Sequence, residues 1–259
     1  VVKMKALVTG ASSGIGRDIA RLLNEKEYDI VLVARNEERL NQIKSELEQQ
    51  DKNNKIEIIS IDLAKKENCL ALCKKVKNVD ILINNAGFGD CGYFSETDLD
   101  KELNMINTNI TAVHILTKLY LQEMKKRNSG KILNVASIAG FMPGPLMSTY
   151  YATKSYIVRL SQGIREELHR EHSKVQISIL CPGPVNTNFN NVAGVEFHLR
   201  EANSMSVAKQ ALNGLEKGKF CIVPGIDIKL AMLAAKLIPS FIVGKVTYLI
   251  QWKKLRKGK

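Results

Sequence analysis

The sequence predicts an α/β fold, a doubly wound and mostly parallel sheet of about seven strands, and three observations predict it. Seven short β-rich apolar runs, at about 4–9, 29–34, 55–61, 79–83, 130–135, 174–181 and 219–223, alternate with helical patterns. Right-handed crossovers put a helix between successive parallel strands, so this alternation leads to a sheet covered on both faces. No linker-like Pro, Gly or Ser stretch, internal repeat or low-complexity block divides the 259 residues, whose 45% apolar content is ordinary for one globular core. Finally, a glycine-rich turn follows the first run. The domain is expected over 1–225, followed by a helical extension over 226–259.

The opening "VVKMKALVTG" has an apolar segment too short for a secretory leader and reads as the first strand, which makes a cytoplasmic location the expectation. Next comes "TGASSGIGR", where Gly10, Gly14 and Gly16 punctuate a turn into a helix from about 14 to 26. Glycines allow backbone to approach a phosphate, and the helix start offers unpaired N–H groups and positive dipole, so a dinucleotide is expected here. The second strand ends "VLVARNEERL". An acid for the adenosine ribose hydroxyls is missing at that end, and Arg35 suits a 2′-phosphate, so the expected cofactor is NADP(H). The competing reading of Arg35 is a surface pair with Glu37 or Glu38.

Five cysteines, Cys69, Cys73, Cys91, Cys181 and Cys221, form an odd set without paired metal-ligand spacing; neither a disulfide framework nor a metal site is expected. The formal charge of +12 is largely diffuse, with lysines and glutamates alternating along helical stretches such as 36–50. Without a base-reading motif or an aromatic platform, nucleic acid is not an expected partner. Near residue 150 the chain reads "YYATK". Around a helix, Tyr150 lies roughly 40° from Lys154 and Tyr151 roughly 60° to the other side, so geometry alone leaves both tyrosines open as partners of the lysine.

Taken together, "TGASSGIG", "NNAG" and a serine thirteen residues before "YYATK" resemble the short-chain dehydrogenase/reductase family, over about residues 4–225. The resemblance implies a Rossmann-type NADP-binding domain and, within the family, an NADP-preferring carbonyl, 3-oxoacyl or hydroxysteroid reductase. Its Tyr-x-x-x-Lys pattern fits Tyr150 with Lys154 and leaves Tyr151 as a packing residue. By the same resemblance Asn109, Ser137, Tyr150 and Lys154 form the catalytic set. A carbonyl accepting hydride becomes an alkoxide, which needs the Ser137 hydroxyl as a hydrogen bond and Tyr150 as a proton source. With Lys154 about 4 Å away, the phenolate would gain around 4 kcal/mol at an effective dielectric near 20, lowering the phenol pKa by roughly three. Family habit also gives Lys154 the nicotinamide ribose and Asn109 a proton-relaying water.

Cofactor contacts implied in the same way are Gly10, Ser12, Ser13, Gly14, Ile15 and Gly16 in the first turn, Arg35, and Asp62 and Leu63 beside adenine. Asn85, Ala86 and Gly87 of "NNAG" line the site. Pro182, Gly183, Val185 and Thr187 of "CPGPVNT" lie near the nicotinamide, with Tyr150 and Lys154 completing the set. Residues expected to rim the substrate pocket are Phe88, Phe94, Phe141, Met142, Pro143, Leu146, Met147, Phe189, Val192 and Phe197. Most are apolar and no motif fixes a cationic clamp, so a hydrophobic ketone, aldehyde or 3-oxoacyl substrate is expected. His114 and His198 are expected to be structural. The alternative on the same fold is a non-catalytic NADP(H)-sensing protein, against which the full catalytic set argues. Family members also commonly pair through the helix bearing Tyr-x-x-x-Lys, here about 149–170, which implies a homodimer or homotetramer.

The extension contains apolar residues from Leu230 to Ile250, interrupted by Lys236, Pro239 and Lys245, and predicts two short helices broken at Pro239. A lid, a subunit contact and a weak peripheral anchor on acidic membrane, through "KKLRKGK", are its three readings.

Overall fold

In the computed structural model, residues 3–50, 53–187, 189 and 202–255 are described. Strand β1 (Lys5–Thr9) lies at the centre because its apolar residues have cover on both sides: Ala6, Leu7 and Val8 are fully buried. Around it the parallel sheet runs β3-β2-β1-β4-β5-β6-β9, with β2 at Asp29–Ala34, β3 at Ile56–Ser60, β4 at Ile81–Asn84, β5 at Lys131–Val135, β6 at Gln176–Leu180 and β9 at Cys221–Ile222. All seven predicted strands are present. The seventh is the shortest, a two-residue edge strand. A further short pair, β7 (Val185–Asn186) with β8 (Ala202–Asn203), stands apart from the main sheet.

Helices cover both faces. One face carries α1 (Gly14–Glu25), α2 (Glu37–Glu48) and α7 (Ser204–Glu216), which bury Ile19, Leu23, Leu40, Leu47, Val207 and Leu212 against the sheet. Across the sheet lie α3 (Lys66–Lys75), α5 (Val113–Lys126) and α6 (Ser148–Arg170), with Leu72, Leu116, Tyr120 and Leu168 in the core. Each fully buried aliphatic side chain here contributes about 1.5–3 kcal/mol. The start of α2 is capped, with the Arg39 backbone N–H donating to the Asn36 side chain, whereas α1, α3 and α6 start without a side-chain cap. Between α4 (Leu99–Ile106) and α5, a π-helical turn spans Asn107–Ala112.

A buried polar chain fixes α6 relative to the sheet. Asn84 Nδ2 donates to Asn134 Oδ1 and Thr117 Oγ1, at 2.9 and 3.0 Å, and Asn134 Nδ2 donates to Ser161 Oγ at 3.0 Å. These buried amide contacts hold α6 in register on the sheet, with Asn84 Oδ1 left without a partner among the described residues, and so set the position of everything α6 carries.

The extension forms α8 (Ile226–Leu237) and α9 (Ser240–Leu255), with Pro239 between them as expected. Ile228 and Met232 of α8 pack beside the end of the sheet. Helix α9 lies against the loop after β5: Thr247 Oγ1 donates to the Pro143 carbonyl at 2.9 Å, and Gln251 Nε2 to the Tyr151 hydroxyl at 2.7 Å.

Candidate active site

The carboxyl ends of β1, β4, β5 and β6 converge on one side of the sheet, where ligands bind in open α/β folds. At the end of β1, Gly10 and Gly14 have φ of +62° and +55°, a backbone region that only glycine enters at little cost. At Gly16 the constraint is space, since a Cβ there would stand 2.4 Å from both the Gly10 carbonyl oxygen and Asn85 Nδ2. The turn is thereby lined by backbone and opens at the start of α1, the arrangement that suits a pyrophosphate. Thr187 closes over it, its Cγ2 only 2.8 Å from where a Cβ on Gly14 would be.

"NNAG" is tied to this turn by Thr9, a residue that sequence reasoning missed. The Thr9 hydroxyl accepts from the backbone N–H groups of Asn85 and Ala86, both at 3.0 Å, while Asn85 Nδ2 donates to the Thr9 and Gly10 carbonyls. At the ends of β2 and β3, Arg35 is exposed and Asp62 Oδ1 accepts from the Ala64 N–H at 3.0 Å. Leu63 is buried in the core. The guanidinium of Arg35 makes no ion pair or hydrogen bond among the described residues, so the surface pair with Glu37 or Glu38 is not formed.

Helix α6 brings Tyr150 and Lys154 together with Ser137 and Asn109. The Ser137 side chain acts on the Tyr150 phenol while its hydroxyl donates to the Pro182 carbonyl at 3.4 Å, and the Lys154 ammonium lies 5.7 Å from the centre of the Tyr150 ring. Lys154 Nζ also donates to the Val135 carbonyl at 2.9 Å. Asn109 projects from the π-helical turn; its Oδ1 accepts from the Phe88 N–H at 3.1 Å, and its Nδ2 donates to the Phe88 carbonyl and to Thr153 Oγ1. Gly87 lies between Asn109 and Lys154, where a Cβ would be 2.9 Å from Asn109 Oδ1 and 3.6 Å from Lys154 Nζ.

The electrostatics differ from the expectation drawn from charge alone. Burial raises the Tyr150 phenol above its ordinary range, opposed by the hydrogen bond from Ser137. Burial also lowers the Lys154 ammonium to about 8, weakly opposed by Cys181. Desolvation therefore dominates the phenol, and the Coulombic depression expected from Lys154 is not among the influences on it. Sequence spacing gives the pair but not the dryness around it.

Tyr151 is otherwise engaged. Its ring would be 2.1 Å from a Cβ on Gly144, its hydroxyl accepts from Gln251, and it meets the Tyr150 ring edge-on at 6.1 Å. Of the expected pocket residues, Phe189 lies against Tyr150 with ring centres 5.2 Å apart, and Phe88 adjoins Asn109. Phe141 and Met142 are half-buried in the loop after β5, whereas Pro143 is exposed. Leu146 and Met147 are buried, and Phe94 is 69% exposed. Val192, Phe197 and His198 lie outside the described residues. His114 Nδ1 and the Tyr156 hydroxyl pair at 2.7 Å, a structural contact.

Pro182 and Gly183 turn the chain after β6, with the Pro182 carbonyl accepting from the Ile138 N–H at 3.0 Å, and Val185 is buried beside them. Ser12, Ser13 and Ile15 fall in the β1–α1 turn and the first turn of α1. Fold and site define a nucleotide-dependent oxidoreductase. The short chain dehydrogenase family model matches residues 4–195, and the chain belongs to that family. An uncharacterised oxidoreductase of Staphylococcus epidermidis is 36% identical over 186 residues, covering 70% of this chain and 78% of that one. A short-chain dehydrogenase from Sphingobium yanoikuyae, solved with NADPH, superposes with a TM-score of 0.82 at 28% identity, covering 89% of this chain and 91% of the other. A short-chain dehydrogenase/reductase from Burkholderia phymatum, solved with NAD, has a TM-score of 0.81 over 89% and 92% of the two chains; at 22% identity it speaks to the fold alone.

Proposed function

We propose that the protein is an NADPH-dependent reductase of hydrophobic ketones, aldehydes or 3-oxoacyl compounds. The observation that carries this reading is the convergence of Ser137, Tyr150, Lys154 and Asn109 beside a backbone-lined glycine turn. When bound, the reduced nicotinamide supplies a hydride to the carbonyl carbon. Tyr150 gives its phenolic proton to the carbonyl oxygen, and the Ser137 hydroxyl holds that oxygen in place. The raised phenol keeps the acid protonated at neutral pH. Lys154, cationic below about pH 8, stabilises the phenolate that each turnover leaves, and Asn109 anchors the route by which Tyr150 is reprotonated. Gly10, Ser12, Ser13, Gly14, Ile15 and Gly16 hold the pyrophosphate, Asp62 and Leu63 the adenine, and Asn85, Ala86 and Gly87 the ribose side. Pro182, Gly183, Val185 and Thr187 hold the nicotinamide end. Phe88, Phe189 and Met142 give the substrate an apolar wall.

The test is oxidation of NADPH and of NADH against a panel of ketones, aldehydes and 3-oxoacyl thioesters. Tight cofactor binding without turnover across the panel would leave a cofactor-sensing protein in place of a reductase. The preference for NADPH rests on Arg35, which is exposed and whose guanidinium would be worth about 1.5–3 kcal/mol against a 2′-phosphate. Arg35→Ala is therefore expected to weaken NADPH binding by about tenfold or more and to leave NADH binding unchanged. Equal losses for both cofactors in fluorescence titrations count against the phosphate contact.

A homodimer or homotetramer paired along α6 follows from the family's habit, and Gly163, exposed and with open space around it, leaves room there for a close neighbour. Light scattering at micromolar concentration is expected to give twice the 28.9 kDa chain mass or more; a monomer defeats the pairing.

A further inference from the structure

The last two helices turn apolar side chains away from the protein. On α8, Ile226, Leu230, Leu233 and Leu237 are between 54% and 77% exposed, and their spacing keeps them within about 60° of one another around the helix. Helix α9 is inverted relative to a helix that faces water. Its polar Thr247 and Gln251 are buried against the protein, while Phe241, Ile242, Val246, Leu249 and Ile250 are exposed. Beside it, Tyr93 meets Tyr248 hydroxyl to hydroxyl at 3.2 Å, and the next residue, Phe94, is exposed as well. A patch of this extent on two adjoining helices calls for an apolar neighbour.

We propose that this face is a docking surface for an acidic lipid bilayer, on which α8 and α9 lie in the interface. Charge selects lipid over a second copy of the chain. Residues 226–259 hold eight Lys or Arg and a single acid, Asp227. Lys229, Lys245 and Lys253 are exposed on the same two helices, and Lys254, Arg256, Lys257 and Lys259 follow in the sequence. Two copies joined through this face would bring like charges together, whereas anionic headgroups neutralise them. Among the described residues no helix is long and apolar enough to cross a membrane, so the pair lies on the bilayer rather than through it. Trp252 and Tyr248, both half-buried, suit the headgroup depth.

The docking helices are also the outer wall of the site. Helix α9 holds Pro143 and Tyr151, the neighbour of Tyr150, and Ile228 of α8 packs where a Cβ on Gly183 would be, at 2.4 Å. Resting on the reductase reading above, the substrate class narrows to long-chain or polycyclic carbonyls dissolved in the bilayer.

Flotation of the full chain with phosphatidylcholine vesicles, with and without phosphatidylserine, at low and high salt tests the dock without relying on turnover. The wild type is expected to float with the anionic vesicles at low salt and to be released at high salt. Leu233→Glu/Leu249→Glu should reduce the bound fraction by about tenfold or more, with an unchanged thermal melt and unchanged reduction of a water-soluble ketone. No lipid-bound fraction at low salt, or equal flotation of the variant, overturns the proposal. So does a wild-type dimer that ignores lipid and that the double substitution dissociates. Flotation by a chain that reduces nothing upholds the dock and defeats the reductase reading.

Discussion

Replacing Tyr150 with phenylalanine is expected to reduce kcat/KM for carbonyl reduction by about 10²- to 10⁴-fold, the usual worth of a positioned general acid. In the proposed reaction the hydroxyl is the proton source, and its loss leaves the ring, its packing on Phe189 and the glycine turn in place. NADPH binding should therefore change by less than about threefold. Tyr151→Phe is the control. It removes the bond to Gln251, worth about 1 kcal/mol, and loosens α9 without touching the acid. Turnover of Tyr151→Phe should stay within a few-fold of wild type. Comparable losses in the two folded variants would reassign the chemistry of "YYATK".

Lys154→Met is expected to move activity and stability in opposite directions. Lys154 is 6% exposed, and the fall of its ammonium from 10.5 to about 8 corresponds to roughly 3 kcal/mol for keeping a charge in a dry place. The folded state binds this proton less readily than the unfolded chain, so wild-type stability rises with pH between about 8 and 10.5, and the cost is complete below about 8. Met fills similar volume without the charge, and the variant should melt higher than wild type at pH 7, even after losing the bond to Val135. The advantage should shrink as pH rises through the same window. Turnover should fall by about 10²-fold or more, because in the proposed reaction the phenolate left by proton transfer loses its cation. A variant that melts lower at pH 7 than at pH 10 relative to wild type would contradict the buried-charge account.

The parts of the fold legible in sequence were those with a local cause. Alternating apolar runs gave the seven strands, Pro239 gave the break between α8 and α9, and the glycines after β1 gave the turn. The pairing of Tyr150 with Lys154 came only through the family's pattern, since the angles favour neither tyrosine; the engagement of Tyr151 with Gln251, a hundred residues away, depends on tertiary contact. The differing burial of Phe94, Leu146 and Met147 was not legible for the same reason: an apolar residue in a loop looks alike whether it is core, rim or outer surface. Thr9 had a signal, a hydroxyl at the last position of a central strand facing "NNAG", but its two acceptor contacts become visible only when β1 and β4 stand side by side. The phenol's upward shift needs the amount of water excluded, which no spacing reports.

The π-helical turn at Asn107–Ala112 also bears on how the chain tolerates change in length. A π turn holds one residue more than the α turn it replaces, so it acts as a single-residue insertion that offsets the phase of α4 from that of α5 by about 100°. Deleting one residue within 107–112 would let the ladder close into a continuous α-helix with ordinary i to i−4 bonds. The backbone would be more regular, yet Asn109 and everything before it would rotate away from Phe88 and Thr153. At this point of the chain, residue count sets the direction of a side chain as firmly as residue identity does.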